Sequence, residues 1–191
     1  MPSSDLIKLN IGCGENPLEG FLNLDVTNES VNIEAKIKPD IICDVRKNTI
    51  PLKDATCSDV WMIHSLEHME RCYWEHIFRE IFRVLIPEGN LALSYPEFDI
   101  CAKYYINNYK GQKEFWIATL YGRQLYPGDY HVTPILTNEL EQKLLRFGFN
   151  EIRYGPQPQH EYYTFLKAKK HHKLTREDVL RKEIFGKELV K

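Results

Sequence analysis

The sequence has no apolar run long enough to cross a membrane. A membrane-spanning helix needs about 18 consecutive apolar residues, and polar or charged residues interrupt every apolar run of this 191-residue chain before that length. Its first residues, MPSSD, do not combine a basic segment with an apolar one, as a secretory signal would. These absences predict a cytoplasmic protein that has no membrane partner.

Cysteine pairs are also missing. The chain has five cysteines, an odd number, and none of them is spaced as C-x-x-C. Neither a disulfide framework nor a cysteine-based zinc site fits this pattern. We therefore expect reduced thiols, most of them buried, and no metal centre.

The sequence lacks an excess of basic residues. Lys and Arg number 25 against 27 Asp and Glu, which gives a formal net charge of −2 and argues against a nucleic-acid partner. Only residues 167–191 are basic, with nine Lys or Arg against four Asp or Glu. A solvated face is the favoured interpretation and an anionic partner the alternative. Residues 170–191 are predicted to form an amphipathic helix that packs on the body or joins a homodimer.

The most informative feature present is a glycine turn followed by an acid. Gly12 and Gly14 follow an apolar run at residues 6–11, and Asp25 lies near the end of a second run at residues 21–26. Glycines let the backbone approach a nucleoside, and an acid at the tip of the second strand accepts hydrogen bonds from ribose hydroxyls. The full G-x-G-x-x-G pattern is absent.

Strand-like and helix-like segments alternate along the chain. Strands are predicted at seven places, which are residues 6–11, 21–26, 40–45, 58–63, 90–95, 149–154 and 162–168. The first two are separated by only about nine residues, too few for a crossover helix, so a tight turn or one helical turn should connect them. This order predicts a mostly parallel, doubly wound α/β sheet with helices on both faces, in one domain over residues 1–191.

Two helices are marked by periodicity and by start and stop signals. Apolar residues recur every four positions from Met69 to Leu85, and Pro87 and Gly89 are expected to end that helix. Asn138 and Glu141 are spaced as a capping box that opens a second helix, with Gly148 closing it.

The motifs, taken in order, resemble those of the class I S-adenosylmethionine-dependent methyltransferases. They are Leu-Asn-Ile-Gly-Cys-Gly at 9–14, Asn-Leu-Asp at 23–25, Cys-Asp-Val at 43–45, His-Ser-Leu-Glu-His at 64–68 and Arg-Val-Leu-Ile-Pro-Glu-Gly at 83–89. The resemblance covers residues 5–95 and returns at 137–149. It implies a Rossmann-like, seven-stranded-type sheet and S-adenosylmethionine as the cofactor. The short interval between Gly14 and Asp25 resembles a compact subgroup of predicted methyltransferases.

The resemblance also implies roles for individual residues. The methionine and ribose portions of the cofactor would be lined by Gly12, Cys13 and Gly14. Asp25 would accept from the ribose hydroxyls.

The adenine would be held further along the chain. Asp44 would accept from the adenine amino group, with the Val45 backbone on the ring edge, and His64 would lie beside the methyl group. The alternatives are a turn or cap role for Asp25 and Asp44, and a structural strand-end role for His64.

Residues 64–68 also match the H-x-x-E-H pattern of some metalloproteases. That motif places both histidines on one helix, whereas residues 58–63 predict a strand. His64 and His68 would then lie on either side of a turn, and no third ligand is evident. Glu67 is interpreted as an acid at the start of the next helix.

A long aromatic-rich insertion follows the fifth predicted strand. Residues 98–130 carry nine of the 23 aromatic residues, and we expect the segment 98–136 to roof an acceptor pocket at the carboxyl end of the sheet. Within it, residues 121–131 are rich in turn formers and polar groups, which is typical of a functional loop.

The catalytic and substrate residues are predicted in this loop. His131 is the first candidate for a general base and Asp129 the second. Arg123 is expected to hold an acidic group of the substrate, and Tyr126 and Tyr130 to line the pocket.

Three functions fit these features. The favoured one is methyl transfer from S-adenosylmethionine to an oxygen or nitrogen of a small-molecule acceptor. A nicotinamide-dependent oxidoreductase of similar sheet is the first alternative, although pyrophosphate needs the helix N-terminus that the short first connection does not supply. A degenerate methyltransferase fold that only binds its partners is the second.

Overall fold

A computed structural model describes residues 6–26, 39–126, 128–157 and 160–171. Most of the predicted C-terminal helix, from residue 172 onward, and its homodimer face lie outside these residues. No helix in the described ranges is both long enough and apolar enough to cross a membrane. All five cysteines are free thiols, four of them buried and Cys72 exposed.

The strands form one seven-stranded sheet in the order β3-β2-β1-β4-β5-β7-β6. Their bounds are β1 Ile7–Ile11, β2 Leu22–Asp25, β3 Ile41–Ile42, β4 Cys57–Ile63, β5 Leu85–Pro96, β6 Phe149–Gln157 and β7 His160–Lys170. Strands β1 to β5 are parallel to one another, and β7 is antiparallel to both β5 and β6. The predicted mostly parallel, Rossmann-like sheet is therefore confirmed. The third strand, expected over residues 40–45, is only two residues long.

No helix forms between β1 and β2 in the described residues 12–21, as the short spacing predicts. The buried Asn23 side chain takes over the ordering of this connection. Its Oδ1 accepts from Leu18 N at 2.8 Å, and its Nδ2 donates to the carbonyls of Leu18 and Phe21. A second buried amide, Asn10, donates to the same Oδ1. The connection is fixed by side-chain hydrogen bonds instead of by a packed helix.

The helix expected from Met69 is shorter than predicted. Two 3-10 turns, Leu66–His68 and Arg71–Tyr73, precede α1, which runs from Trp74 to Val84. Strand β5 begins at Leu85, so Pro87 and Gly89 lie inside a strand and do not end the helix. The Lys170 ammonium from β7 donates to the carbonyls of Phe82 and Leu85 at 2.7 Å each. A cation at the carboxyl end of a helix is favoured by the helix dipole.

The core lies between the sheet and α1, with the second helix of that layer, α4 (Thr137–Arg146), beside it. Val60 and Met62 point from β4 into this core and are fully buried. The rings of Phe78 in α1 and Phe147 at the end of α4 contact each other at 5.7 Å.

The amino end of α4 is capped from a distant strand. The predicted capping box of Asn138 and Glu141 is wrong, because the helix begins at Thr137 and its cap residue makes no side-chain hydrogen bond. Instead the buried Glu97 carboxylate, at the end of β5, accepts from the Thr137 backbone N at 3.2 Å and from its hydroxyl. Gly148 follows the helix with φ of +88°, as predicted.

The insertion contains two helices and a loop. Helix α2 spans Phe98–Ile106 and α3 spans Lys113–Tyr121. Four of its rings, Tyr104, Tyr109, Phe115 and Trp116, pack on one another, as the Tyr104–Tyr109 stack at 4.3 Å and the Tyr104–Trp116 contact at 4.9 Å show. The loop at residues 122–136 returns to the carboxyl end of the sheet, where the candidate site lies.

Candidate active site

The glycine turn after β1 is hydrogen-bonded to β2 and packed against Ser65. Gly12 N and Cys13 N both donate to the Leu24 carbonyl, at 2.8 and 3.2 Å. Gly12 has φ of +71°, and a Cβ added there would lie 2.5 Å from the Ser65 Cβ. Ser65 in turn donates its hydroxyl to the Ile11 carbonyl at 3.1 Å. Only glycine fits at position 12, and the turn is packed directly on the segment that follows β4.

Asp25 lies at the end of β2 and faces the glycine turn. Its Oδ2 accepts from Gly14 N at 2.7 Å, and its Oδ1 accepts from Val26 N at 2.7 Å. Each carboxylate oxygen has a second lone pair that can accept from a further donor. The carboxylate thus orders the turn while keeping the capacity to bind ribose hydroxyls.

Asp44 is paired with a neighbouring arginine. Arg46 donates through Nε to Oδ1 at 2.8 Å and through Nη2 to Oδ2 at 2.9 Å. These hydrogen bonds hold the pKa of Asp44 below its ordinary value. The carboxylate therefore stays ionised, and it lies after β3 together with the buried Val45.

Cys13 is a buried thiol within the turn. Burial, and next the nearby Asp25 carboxylate, raises its pKa to about 11. The thiol is protonated near neutral pH, which suits a packing residue and not a nucleophile.

His64 ends β4 in a left-handed backbone conformation. Its φ is +52°, an uncommon value for a residue other than glycine. The ring packs against Tyr163 of β7 at 4.3 Å between centroids, and Nδ1 lies 3.7 Å from Glu67 Oε1. Strained residues of this kind cluster at functional sites.

Glu67 is the most deeply buried charged group of the site. It is 1% exposed, and no group in the described residues hydrogen-bonds its Oε2. A buried carboxylate oxygen without a partner is strongly unfavourable. An incoming donor or cation would supply the partner that this oxygen lacks.

The loop at 122–136 is hydrogen-bonded to the 3-10 turn Leu66–His68, which we call the Glu67 turn. Val132 N and Thr133 N both donate to the Glu67 carbonyl, at 2.9 and 3.2 Å. The His68 ring bonds the Tyr130 carbonyl through Nδ1 at 2.9 Å. These bonds place His131 beside His68, with ring centroids 4.8 Å apart.

His131 is held in one orientation. Its Nδ1 bonds the Thr119 carbonyl at 2.8 Å, and a carbonyl only accepts, so Nδ1 carries the proton and Nε2 the lone pair. Burial lowers the pKa of His131, which favours the neutral imidazole.

The other predicted loop residues serve different contacts. Asp129 is 5% exposed and accepts from Arg123 Nη2 and Leu125 N, each at 3.2 Å. Asp129 and Arg123 are therefore paired with each other in this structure. Tyr126 is half-buried and Tyr130 exposed at the loop surface.

Comparison with known proteins gives a consistent picture. Residues 9–93 match the model of a family described as a methyltransferase domain. No curated protein sequence matches the chain. Among solved structures, an S-adenosylmethionine-dependent methyltransferase of Archaeoglobus fulgidus superposes with a TM-score of 0.61 at 14% identity, covering 86% of each chain.

Two further structures share the fold. One is a Thermotoga maritima S-adenosylmethionine-dependent methyltransferase, described as a possible histamine N-methyltransferase, with a TM-score of 0.60 at 15% identity over 86% of this chain and 81% of that one. Residues 9–93 carry a methyltransferase domain, and the chain has the fold of S-adenosylmethionine-dependent methyltransferases. The other structure is phosphoethanolamine N-methyltransferase 2 of Haemonchus contortus in complex with S-adenosylmethionine, with a TM-score of 0.53 at 11% identity over 87% of this chain and 49% of that one. The predicted fold class, enzyme class and cofactor are confirmed.

Several residues of the candidate site could not be assigned from the sequence. Ser65 and Tyr163 were not singled out, and Glu67 and His68 were given no role in a pocket. Only the order of the strands could have indicated them. Ser65, Glu67 and His68 follow β4, and Tyr163 of β7 pairs with Pro96 at the carboxyl end of the neighbouring β5. The pairing of His131 with His68 depends on the path of the insertion, which no local pattern indicates.

Proposed function

We propose that this methyltransferase transfers a methyl group to an oxygen or nitrogen of a small-molecule acceptor bound between the Glu67 turn and the loop at 122–136. The observation that carries the proposal is the buried Glu67 carboxylate, whose Oε2 has no hydrogen-bond partner among the described residues. One of its oxygens lies within 4.8 Å of a ring nitrogen of His131. Ser65, two residues before Glu67, packs against the glycine turn at Gly12. An acceptor hydroxyl or amine would find there a hydrogen-bond acceptor and a base.

The residues present fit S-adenosylmethionine. At Gly14, where φ is +51°, nothing lies within 4 Å of an added Cβ, so a ligand can approach the backbone there. The carboxylate of Asp25 lies at the end of β2, and that of Asp44 follows β3. When bound, S-adenosylmethionine supplies an electrophilic methyl group on sulfonium, with S-adenosylhomocysteine as the leaving group. We assign the turn of Gly12, Cys13 and Gly14 to the methionine and ribose portions, and Asp25 to the ribose hydroxyls. Asp44 and the Val45 backbone would hold the adenine, and His64 would lie near the methyl group.

The chain's own groups would prepare the acceptor. His131 Nε2 takes the proton from the hydroxyl or amine that is methylated. The Thr119 carbonyl, bonded to Nδ1, keeps the imidazole in the tautomer that this step requires and stabilises the imidazolium that forms. Glu67 orients the acceptor through Oε2. The loop at 122–136 is held on this site by the hydrogen bonds from Val132 N and Thr133 N to the Glu67 carbonyl. Tyr126 and Tyr130 would contact the acceptor when it enters.

A small acceptor is supported by two observations. The proposed acceptor-binding groups Glu67, His68 and His131 are buried or half-buried. Two structural neighbours, a possible histamine N-methyltransferase and a phosphoethanolamine N-methyltransferase, are named for small amines. The net charge of −2 offers no broad cationic surface for nucleic acid. We also propose a cytoplasmic location, which the five free thiols support.

A panel of small amines, phenols, carboxylic acids and alcohols tests the proposal. The chain is incubated with S-adenosylmethionine and each acceptor, and S-adenosylhomocysteine formation is measured. Saturable turnover of at least one acceptor, lost in Glu67→Gln, is expected. Turnover of a protein or nucleic-acid substrate alone, or none at all in a protein that binds the cofactor, would contradict it.

A further inference from the structure

We propose that Glu67, His68 and His131 form a binding site for one divalent transition-metal ion of the zinc type. One ligating atom from each of the three side chains lies within 4.8 Å of the other two. Two imidazoles and a carboxylate are the donor set of many zinc sites. A tetrahedral ion with bonds of about 2.1 Å separates its ligand atoms by roughly 3.4 Å. The side chains therefore need to close by about 1.4 Å at most, which small side-chain rotations supply.

The two histidines make the hydrogen bonds that are typical of metal ligands. His68 Nδ1 bonds the Tyr130 carbonyl and His131 Nδ1 bonds the Thr119 carbonyl. Because a carbonyl only accepts, each neutral ring keeps its lone pair on Nε2. Histidines that bind metals through one nitrogen usually donate the other N–H to a carbonyl or carboxylate in this way.

Glu67 gives an independent indication of a missing cation. Its Oε2 is buried and has no hydrogen-bond partner in the described part of the chain. The nearest imidazole nitrogen that contacts the carboxylate, His64 Nδ1, lies 3.7 Å from the other oxygen, Oε1, beyond hydrogen-bond distance. A metal ion bound to Oε2 would neutralise the carboxylate and remove this unfavourable burial.

The H-x-x-E-H pattern takes on a different meaning in this fold. His64 belongs to the end of β4 and not to a helix, so the two histidines of the pattern do not form a helical pair. The third ligand, His131, arrives from the loop at 122–136. Because Val132 and Thr133 bond the Glu67 carbonyl, the loop and the turn hold the ligands together before any ion binds.

Three protein ligands leave a fourth position open, as in catalytic zinc sites. This role rests on the proposed function, whereas ion binding itself does not. An oxygen of the methyl acceptor would take the open position, and the ion would lower the pKa of a hydroxyl there so that its proton passes to solvent. His131 would then act as a ligand, and the acceptor class would narrow to molecules that present a hydroxyl or carboxylate oxygen.

Ion binding is tested on the full chain in a Cys72→Ser background, which removes the exposed thiol. Chelator-treated protein is titrated with Zn²⁺ against a chromophoric zinc indicator, without cofactor or acceptor. We expect one ion per chain, with affinity lowered about 100-fold or more in Glu67→Gln and in His131→Gln. The matched control is His76→Gln, which removes a histidine bonded to the Asn48 carbonyl outside the cluster. It should change the affinity less than twofold.

A second measurement covers variants that fail to fold. Co²⁺ added to the His131→Cys variant should produce a thiolate-to-cobalt charge-transfer band that is absent in the Cys72→Ser parent. No stoichiometric zinc uptake by the parent, equal uptake by the Glu67 and His131 variants, or no such band in folded His131→Cys would overturn the site. S-adenosylhomocysteine binding, measured separately, shows whether the methyltransferase proposal stands on its own.

Discussion

At the scale of single residues, Gly12 has the most restrictive position in the β1–β2 connection. It combines a positive φ with a space that a methyl group would share with the Ser65 Cβ. Gly20, in the same β1–β2 connection, has φ of +76° but nothing within 4 Å of an added Cβ. The two glycines differ only in the steric requirement, so they make a matched pair.

We expect Gly12→Ala to lower the free energy of unfolding by about 3 kcal/mol and Gly20→Ala by about 1 kcal/mol. The difference reflects overlap with Ser65 in addition to the unfavourable φ. Urea denaturation of both variants measures it. Equal losses of stability would mean that Ser65 moves aside freely.

Asp25 tests the cofactor site. Replacement by Asn removes a charged acceptor of the ribose hydroxyls, and S-adenosylhomocysteine affinity should fall roughly 100-fold, about 2.7 kcal/mol. Calorimetric titration measures this. The control is Asp59→Asn, near the amino end of β4 and away from the candidate site, where the carboxylate bonds Ser58 and Asn90. This variant should bind S-adenosylhomocysteine normally. Unchanged affinity of Asp25→Asn would leave that carboxylate with its turn-ordering role alone.

The titration of His131 predicts how kcat/KM depends on pH. Burial places its pKa below the ordinary 6.5, so the neutral imidazole persists to lower pH than usual. If His131 is the base, the acid limb of kcat/KM lies below pH 6.5, and His131→Gln lowers kcat about 100-fold while cofactor affinity stays the same. An acid limb that is identical in the variant would exclude His131 as the titrating group.

At the scale of elements, side-chain hydrogen bonds replace an expected helix and an expected cap. Asn23 orders the β1–β2 connection, and Glu97 caps α4 from the end of β5. The short β1–β2 connection could be predicted from the spacing of the first two apolar runs. The strands could be predicted because they are rich in apolar residues. The Glu97 cap joins residues 40 apart in sequence, so no local motif indicates it. The helix end at Val84 depends on Lys170 in the same way.

The Asn23 amide should therefore be essential for the connection. Asn23→Ala leaves Leu18 N, Asn10 Nδ2 and two carbonyls without their partner, and we expect a loss of about 3 kcal/mol in unfolding free energy. Asn16→Ala, which removes an exposed side chain of the same connection, should change it by less than about 0.5 kcal/mol. Thermal and urea denaturation compare the two. Similar small effects would show that water satisfies the freed groups.

At the scale of the whole molecule, the two halves of the site come from different parts of the chain. The cofactor side lies in residues 9–93, which match the methyltransferase-domain family and whose motifs are local and readable from sequence. The acceptor side joins the turn after β4 to a loop more than sixty residues later. Its assembly depends on tertiary contacts, which explains why Asp25 could be singled out from sequence and the Glu67 cluster could not.

Calorimetric titration of the purified chain with S-adenosylmethionine, S-adenosylhomocysteine and NAD tests the central claim most directly. The Gly12 turn and the Asp25 carboxylate, without a crossover helix after β1 to bind pyrophosphate, predict micromolar binding of the first two ligands and no binding of NAD. Binding of NAD alone, or of none of the three, would contradict the account.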